Sequence, residues 1–136
     1  MKKHTLLIID SEPDSLLTLV KHVSGHYCPV VAESGQAAWQ HLCTSPSSFS
    51  AIVLDQALPD MEGLDLLHHI KQDPHLRNLP VIMIAKQAQK NTMISGFKKG
   101  IYDFLVKPID KDLLNLVLKR ALRESSCLGG VVNSLA

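Results

Sequence analysis

Short apolar runs alternate five times along the chain with segments whose apolar residues recur at helical spacing. Continuous apolar runs are typical of strands buried on both faces, and a spacing of three and four residues is typical of amphipathic helices. The predicted strands are 6–9, 27–31, 51–54, 81–84 and 104–106. The predicted helices are 13–24, a segment capped by Ser34, a segment ending near Asp73, 88–99, and a segment from Asp110 to about Arg123.

This alternation predicts an α/β fold, because parallel strands need helical crossovers that cover both faces of the sheet. The 136 residues fit one domain of ordinary size. We therefore expect a single doubly wound (βα)5 domain with a five-stranded parallel sheet and right-handed crossovers. Residues 1–124 are predicted to form this domain, and the Gly- and Ser-rich residues 125–136 to form a tail, or a linker toward an output domain outside this chain.

Composition and charge exclude several classes of protein. Hydrophobic residues make up 46% of the chain, charged residues 20%, and the net charge is +1. Such a balance does not favour a nucleic-acid or membrane-surface partner. No apolar run approaches the roughly 20 residues that span a bilayer. The three scattered cysteines indicate reduced thiols, and we expect a cytoplasmic protein.

Polar residues follow the predicted strands at the points where those strands end. Asp10 follows the first strand, Asp55 the third and Lys107 the fifth. Because the carboxyl ends of parallel strands meet at one edge of the sheet, we expect these three side chains to converge. Clustered carboxylates repel each other unless a cation joins them, and Mg²⁺ prefers such oxygen ligands. A carboxylate beside Mg²⁺ and a lysine can act as a nucleophile toward phosphorus.

Four segments in fixed order carry a family resemblance. They are residues 8–14, 53–64, 79–84 and 100–108. The chain resembles a receiver domain of the bacterial response-regulator family, in the CheY-like superfamily, from about Thr5 to about Arg123. The resemblance implies a flavodoxin-like sheet in the order 2-1-3-4-5, which the general rules for doubly wound folds describe for such receivers.

The resemblance also implies roles for individual residues. Asp55 is expected to accept a phosphoryl group from a histidine kinase or a phosphotransfer protein. Asp10, Asp55 and the backbone carbonyl of Ala57 are expected to hold Mg²⁺, and Lys107 to contact the phosphoryl group. The bond between Lys107 and Pro108 is expected to be cis, as proline permits. Apart from its own phosphorylation and dephosphorylation, such a domain is not an enzyme.

The same resemblance places a signalling switch at positions 85 and 104. Phe104 stands at the position of the family's switch aromatic. Output is expected through the face formed by the fourth helix, fifth strand and fifth helix, toward an output domain or partner protein. That face commonly pairs receivers as homodimers, and the apolar last helix is consistent with this. Leu116 and Leu118 both lie off its predicted core stripe, so we expect each to find another partner or stay exposed.

Two residues depart from the family pattern. Ser11 stands where the family has an acidic metal ligand, so Mg²⁺ affinity is expected to be low. The Ser11 hydroxyl, a weaker ligand, or the neighbouring Glu12 carboxylate would have to take the place of the missing acid. Ser11 also has a second interpretation as a helix N-cap, and Glu12 as a solvated acid of the first helical turn. Ala85 replaces the family's Thr or Ser, which removes a hydrogen-bond donor to the phosphoryl group.

These departures leave an alternative function open. The chain is then a degenerate pseudo-receiver, a binding module that never uses phosphate. An aspartate-nucleophile phosphatase is disfavoured, because Ala57 stands where a second catalytic acid is needed. Nucleotide binding lacks a Gly-rich phosphate loop. The seven histidines show no convincing zinc spacing and are interpreted as surface residues, and Trp39 as partly buried.

Overall fold

The computed structural model describes the backbone of residues 3–135 and the side chains of residues 3–124. Its strands are β1 (Thr5–Ile9), β2 (Cys28–Ala32), β3 (Ala51–Asp55), β4 (Val81–Ala85) and β5 (Asp103–Val106). Its helices are α1 (Pro13–Val23), α2 (Gly35–Thr44), α3 (Gly63–Gln72), α4 (Lys90–Lys99) and α5 (Lys111–Leu135). A single 3-10 turn at Pro46–Ser48 precedes β3.

All five strands are parallel and lie in the order β2-β1-β3-β4-β5, which confirms the predicted fold. Ile9 pairs with Leu54, so the residues that follow these two, Asp10 and Asp55, are neighbours at the carboxyl edge. Ala85 pairs with Val106 at the same edge. The register therefore brings the ends of four strands together.

Successive side chains of each strand enter opposite halves of the core, as the pleat requires. On β1, Leu6 and Ile8 pack with α1 and α5, whereas Leu7 and Ile9 pack with α2 and α3. Asp10 continues the first series, and so does Asp55 after Ala51 and Val53. By this alternation the two carboxylates belong to the face of the sheet that α1 and α5 cover.

The helix caps predicted at three places are present. Ser34 Oγ accepts a hydrogen bond from the Ala37 N–H, and Asp110 Oδ2 accepts one from the Leu113 N–H. Gly100 closes α4 with a φ of 102°, a left-handed conformation that glycine adopts without steric cost. The N-cap interpretation of Ser11 is wrong, because the N-cap residue of α1 is Glu12.

The last helix differs from the prediction in two respects. It continues past Arg123 to Leu135, since its two glycines lower helix propensity without forbidding a helix and no proline follows. Leu118 is fully buried in the core, whereas Leu116 remains 53% exposed. The assignment of residues 125–136 to a tail or linker stays a prediction, and their side chains lie outside the described part of the chain. No helix in the described residues is long and apolar enough to cross a membrane.

Candidate functional site

Two carboxylates are buried at the carboxyl edge of the sheet. Asp10 is fully buried directly after β1, and Asp55 is 4% exposed as the last residue of β3. They are the only charged or polar residues in the buried core of the described chain. Buried carboxylates cost free energy unless other groups compensate them, so this pair requires specific partners.

Lys107 supplies the compensating positive charge. Its Nζ lies 2.7 Å from Asp55 Oδ2 and 3.1 Å from Asp10 Oδ2, and its side chain is only 11% exposed. One ammonium group thus contacts both carboxylates. The bond between Lys107 and Pro108 is cis, and the Lys107 N–H donates to the carbonyl of Ala85. The sequence prediction that Asp10, Asp55 and Lys107 converge is confirmed.

Asp10 receives two further hydrogen bonds from the start of α1. The hydroxyl of Ser15 donates to Oδ2, and the backbone N–H of Glu12 donates to Oδ1 at 3.0 Å. Burial raises the pKa of Asp10, but these bonds, together with Lys107, outweigh burial and hold the pKa below its ordinary value. Asp10 is therefore the carboxylate of the pair that stays ionised more readily.

Asp55 has fewer donors. Lys107 contacts Oδ2, and the backbone N–H of Ala57 donates to Oδ1 at 3.0 Å. Burial raises the pKa of Asp55 above its ordinary value, and neighbouring Asp10 raises it further, while Lys107 and the Ala57 N–H oppose that rise. The pKa of Lys107 is likewise raised, because Asp55 and Asp10 outweigh the opposite effect of burial.

Glu12 lies between two lysines at the mouth of the site. Its Oε1 is 3.1 Å from Lys86 Nζ and 3.6 Å from Lys107 Nζ. Lys86 directly follows Ala85, and its side chain is 70% exposed. Glu12 is 45% exposed, which agrees with its interpretation as a solvated acid, and it is also paired with both ammonium groups.

A cleft of about 380 Å³ opens in front of Asp55. Its lining includes Glu12, Asp55, Ala57, Ala85 and Lys86. The cleft gives the Asp55 carboxylate access from solvent although the carboxylate itself is almost fully buried. Because it holds both acidic and basic side chains, it suits a small anionic group accompanied by a cation.

The loop between β3 and α3 is fixed by two close contacts. The Gly63 N–H donates to the carbonyl of Gln56 at 2.6 Å, which folds the loop back onto the end of β3. The Asp60 carboxylate accepts hydrogen bonds of 2.9 Å from the N–H groups of Gly35 and Gln36. These backbone hydrogen bonds hold the pKa of Asp60 below its ordinary value. The loop that follows Asp55 is therefore tied to the start of α2.

The oxygen donors at the edge fit a divalent cation of the magnesium type. Such an ion commonly uses one or two protein carboxylates and completes its shell with water and phosphate oxygens. Asp10 and Asp55 supply two carboxylates that share one lysine. In the described residues, however, no group of three His, Cys, Asp or Glu side chains could hold a metal ion. Ser11 leaves the site one carboxylate short of such a group.

The two predicted switch positions lie on the other face of the sheet. Ala85 is 2% exposed and Phe104 is 7% exposed, and both pack in the part of the core covered by α2, α3 and α4. Trp39 packs against the same part of the core and is partly buried, as predicted. His68 and His69 are exposed on α3, which agrees with their interpretation as surface residues.

Sequence reasoning missed three contributors to the site. The Ser15 hydroxyl donates a hydrogen bond to Asp10, but a serine five residues after an aspartate forms no recognisable sequence motif. Asp60 caps the start of α2, a helix that comes earlier in the chain and is separated from Asp60 by β3. The pairing of Glu12 with Lys86 joins two loops that follow different strands. The contacts of Asp60 and of Glu12 with Lys86 are long-range and only the folded chain defines them, whereas the contact of Ser15 with Asp10 is local but has no distinctive sequence pattern.

Comparisons with known proteins agree with the class that this fold and acidic edge define. The family model described as response regulator receiver domain matches residues 6–119. The chain is 28% identical over 120 residues to chemotaxis protein CheY1 of Helicobacter pylori, covering 86% of this chain and 95% of that protein. The signal receiver domain of an HD domain-containing protein from Pseudomonas fluorescens Pf-5 superposes with a TM-score of 0.83 at 26% identity, covering 93% and 99%.

A further relative is a much longer protein. The chain is 30% identical over 110 residues to a "Probable cyclic di-GMP phosphodiesterase" of Vibrio cholerae, covering 81% of this chain but only 24% of that protein. The chain belongs to the response regulator receiver domain family. Receiver domains take part in two-component signalling, are generally not enzymes, and bind Mg²⁺ at their acidic site. They interact with kinases, phosphotransfer proteins and output domains.

Proposed function

We propose that the chain is a phosphoacceptor in a two-component phosphorelay, taking a phosphoryl group from a histidine kinase or a phosphotransfer protein onto Asp55. The observation that carries this proposal is the contact between the nearly buried Asp55 carboxylate and the Lys107 ammonium group, at 2.7 Å, beside an open cleft. An aspartate without a function is expected to lie exposed at the surface, rather than buried against a lysine beside a cleft.

The chemistry follows from the position of Asp55. An Asp55 carboxylate oxygen attacks phosphorus and the bond from phosphorus to the donor imidazole nitrogen breaks. The electron pair stays on that nitrogen, and the product is an acyl phosphate on Asp55. Lys107 neutralises negative charge on the phosphoryl oxygens in a place where little water competes. Ser15 and the Glu12 N–H keep Asp10 ionised beside the reacting group.

Asp10, Asp55 and the backbone carbonyl of Ala57 are the residues proposed to hold Mg²⁺, with Ser11 or Glu12 as an additional ligand. When bound, the ion neutralises charge on the phosphoryl oxygens and orients them. Ser11 contributes no charge, and Glu12 is occupied by two lysines. We therefore propose that Mg²⁺ binds weakly before phosphoryl oxygens are available to complete its coordination.

Output is proposed to leave through an apolar surface that we call the α4–β5–α5 face, defined by the exposed residues Ile94, Phe97, Val106, Leu113 and Leu116. Lys99 lines a cleft with α3, so by helical geometry Ile94 and Phe97 point away from α3. On α5, Asn115 donates to the carbonyl of His22 in α1, which places Leu113 and Leu116 away from α1.

Exposed apolar residues on three consecutive elements favour a contact with another protein. An output domain, a separate partner or a second copy of this chain could each cover the α4–β5–α5 face. Phe104, which lies beneath it in the core, is the proposed link between Asp55 and this surface.

A second candidate function has its own support. Ala85 presents no hydroxyl to the cleft, and the described residues include no cluster of three possible metal ligands. Both observations favour a pseudo-receiver that binds its partner through the α4–β5–α5 face without phosphorylation. The retained contacts among Asp10, Asp55 and Lys107 oppose this alternative, because an interaction module does not need them.

Chemical phosphorylation distinguishes the two functions. The protein is incubated with acetyl phosphate and Mg²⁺, and its intact mass is measured beside that of Asp55→Asn. An adduct of one phosphoryl group in the parent alone supports the phosphoacceptor. A folded parent without any adduct supports the pseudo-receiver.

A further inference from the structure

Lys86 is a cation that the site, as built from Asp10, Asp55 and Lys107, does not use. It lines the cleft in front of Asp55, and its ammonium group is held there by Glu12 at 3.1 Å. Another basic residue, Lys90, begins α4 only four positions later and is exposed, but it does not line this cleft. The contact with Glu12 therefore directs Lys86 specifically toward the site.

Strand geometry explains why Lys86 and Ala85 face different surroundings. Val81, Met83 and Ala85 pack in the core half that α2, α3 and α4 cover, whereas Ile82 and Ile84 pack in the half that holds Asp55. Lys86 continues the second series, and it lines a groove together with Lys107. A long side chain at position 86 thus reaches the side of the sheet edge where Asp55 lies. The methyl group of Ala85 cannot donate a hydrogen bond there.

The charges at the cleft are unbalanced even before phosphorylation. In the ion-paired cluster three carboxylates, Asp10, Glu12 and Asp55, face two ammonium groups, Lys86 and Lys107. Glu62 adds a further carboxylate to the lining of the cleft. Phosphorylation of Asp55 replaces a single negative charge by a group of about two negative charges. The added charge repels Glu12 and attracts Lys86, so the distribution of charge favours a change of partner for Lys86.

The change of partner is also favoured by solvation. Lys86 and Glu12 are 70% and 45% exposed, and ion pairs between exposed side chains contribute little to stability. Breaking their contact therefore costs little. A phosphoryl oxygen in the cleft is a more strongly charged acceptor, and ionised donors and acceptors form the stronger hydrogen bonds.

We propose that Lys86 is a phosphoryl-contacting residue. When Asp55 carries a phosphoryl group, the Lys86 ammonium group leaves Glu12 and donates to a phosphoryl oxygen, in place of the hydroxyl donor that Ala85 lacks. Because Lys86 belongs to the loop between β4 and α4, this contact draws that loop toward Asp55. The inference rests on the proposed function, since it requires a phosphoryl group on Asp55.

The test uses beryllofluoride, whose fluorine atoms take the place of phosphoryl oxygens, together with Mg²⁺. Its affinity for the parent, Lys86→Ala, Lys86→Gln and Lys90→Ala is measured by titration calorimetry. Loss of one charge-assisted hydrogen bond is expected to weaken binding about tenfold in both Lys86 variants. Lys90→Ala removes the same charge from the first residue of α4, four positions further along the chain, and is expected to stay within about twofold of the parent.

A rescue separates direct contact from a general effect of charge. Ala85→Thr places a hydroxyl donor at the end of β4, so the contact from Lys86 becomes less important. Adding Lys86→Ala to that variant is therefore expected to weaken beryllofluoride binding by less than about threefold. Glu12→Gln removes the carboxylate that competes with beryllofluoride for the Lys86 ammonium group. This substitution is expected to tighten beryllofluoride binding more when it is made in the parent than when it is made in Lys86→Ala. Equal effects in both backgrounds would contradict the exchange of partners.

Failure of this inference is distinguishable from failure of the proposed function. If acetyl phosphate modifies Asp55 but both Lys86 variants bind beryllofluoride as well as Lys90→Ala does, only the role of Lys86 is overturned. If the folded parent neither acquires a phosphoryl group nor binds beryllofluoride, the phosphoacceptor function falls and the role of Lys86 falls with it.

Discussion

Gly63 lies against Asp55 so closely that a Cβ atom on Gly63 would stand 2.6 Å from the Asp55 backbone oxygen and 2.9 Å from the Gln56 Cα atom. Real Cβ atoms do not approach backbone this closely, and neither neighbour is the end of a flexible side chain. The first residue of α3 and the last residue of β3 are therefore packed backbone to backbone. This contact fixes the loop that carries Ala57 and Asp60.

We expect Gly63→Ala to destabilise the domain by about 1–3 kcal/mol, the usual cost of overpacking a rigid site. Urea unfolding measures the change. The matched control is Gly25→Ala, because a Cβ atom at Gly25 would meet nothing within 4 Å. Equal stabilities for the two variants would contradict the close packing of Gly63 against β3.

Removing the Asp55 charge is expected to stabilise the folded protein at neutral pH. Burial, with Asp10 as a neighbour, raises the pKa of Asp55 in the folded state above its unfolded value of about 3.9. The folded state therefore binds this proton more readily, and the cost of ionising Asp55 is complete only above the raised pKa.

The free energy of unfolding of Asp55→Asn should exceed that of the parent at pH 7, and the difference should shrink as the pH falls toward about 4. Chemical denaturation at several pH values measures both curves. A difference that grows as the pH falls would show that the pKa of Asp55 is lowered rather than raised.

The opposite pH dependence is expected for Asp60. The N–H groups of Gly35 and Gln36 lower the pKa of Asp60, so its contribution to stability is complete above the unfolded value of about 3.9 and is lost as the pH falls through the folded pKa. Asp60→Ala should cost roughly 1 kcal/mol at pH 7, as is typical for loss of a helix N-cap acceptor.

Thermal unfolding of Asp60→Ala and the parent, at pH 7 and below pH 3, measures this effect. The two proteins should differ at the higher pH and converge at the lower one. A difference independent of pH would mean that the carboxylate charge does not contribute to capping α2.

Ser11→Asp is expected to tighten Mg²⁺ binding by at least about tenfold, because it adds a hard anionic ligand beside Asp10. The control is Ser47→Asp, which adds the same charge in the exposed turn before β3. Calorimetric titration of both variants and the parent gives the affinities. An unchanged affinity in Ser11→Asp would indicate that Glu12 or water already supplies the missing ligand.

The parallel sheet and the meeting of Asp10, Asp55 and Lys107 were predictable because both depend on local patterns, whereas the order of the strands was implied only by the family resemblance. Apolar runs mark the strands, helical spacing between them requires parallel crossovers, and parallel strands end at a common edge. Ser34, Gly100 and Asp110 likewise act on helix ends within a few residues of themselves, so their chemistry is visible in sequence.

The remaining features depend on contacts between distant segments or on small free-energy differences. Asp60 reaches a helix that begins 25 positions earlier, and Lys86 meets Glu12 across the cleft. The end of α5 was missed because helix propensity alone does not place a terminus when no strong stop signal follows. Leu118 was missed because the core stripe of α5 is wider than a single row of residues one turn apart.

The central claim is that Asp55 accepts a phosphoryl group, and mass spectrometry after incubation with acetyl phosphate and Mg²⁺ tests it most directly. The parent, Asp55→Asn and Asp60→Asn are treated together, so that a buried and an exposed aspartate of neighbouring segments are compared. We predict one phosphoryl adduct in the parent and in Asp60→Asn, and none in Asp55→Asn. An adduct that persists in Asp55→Asn, or no adduct on the folded parent, would contradict the account.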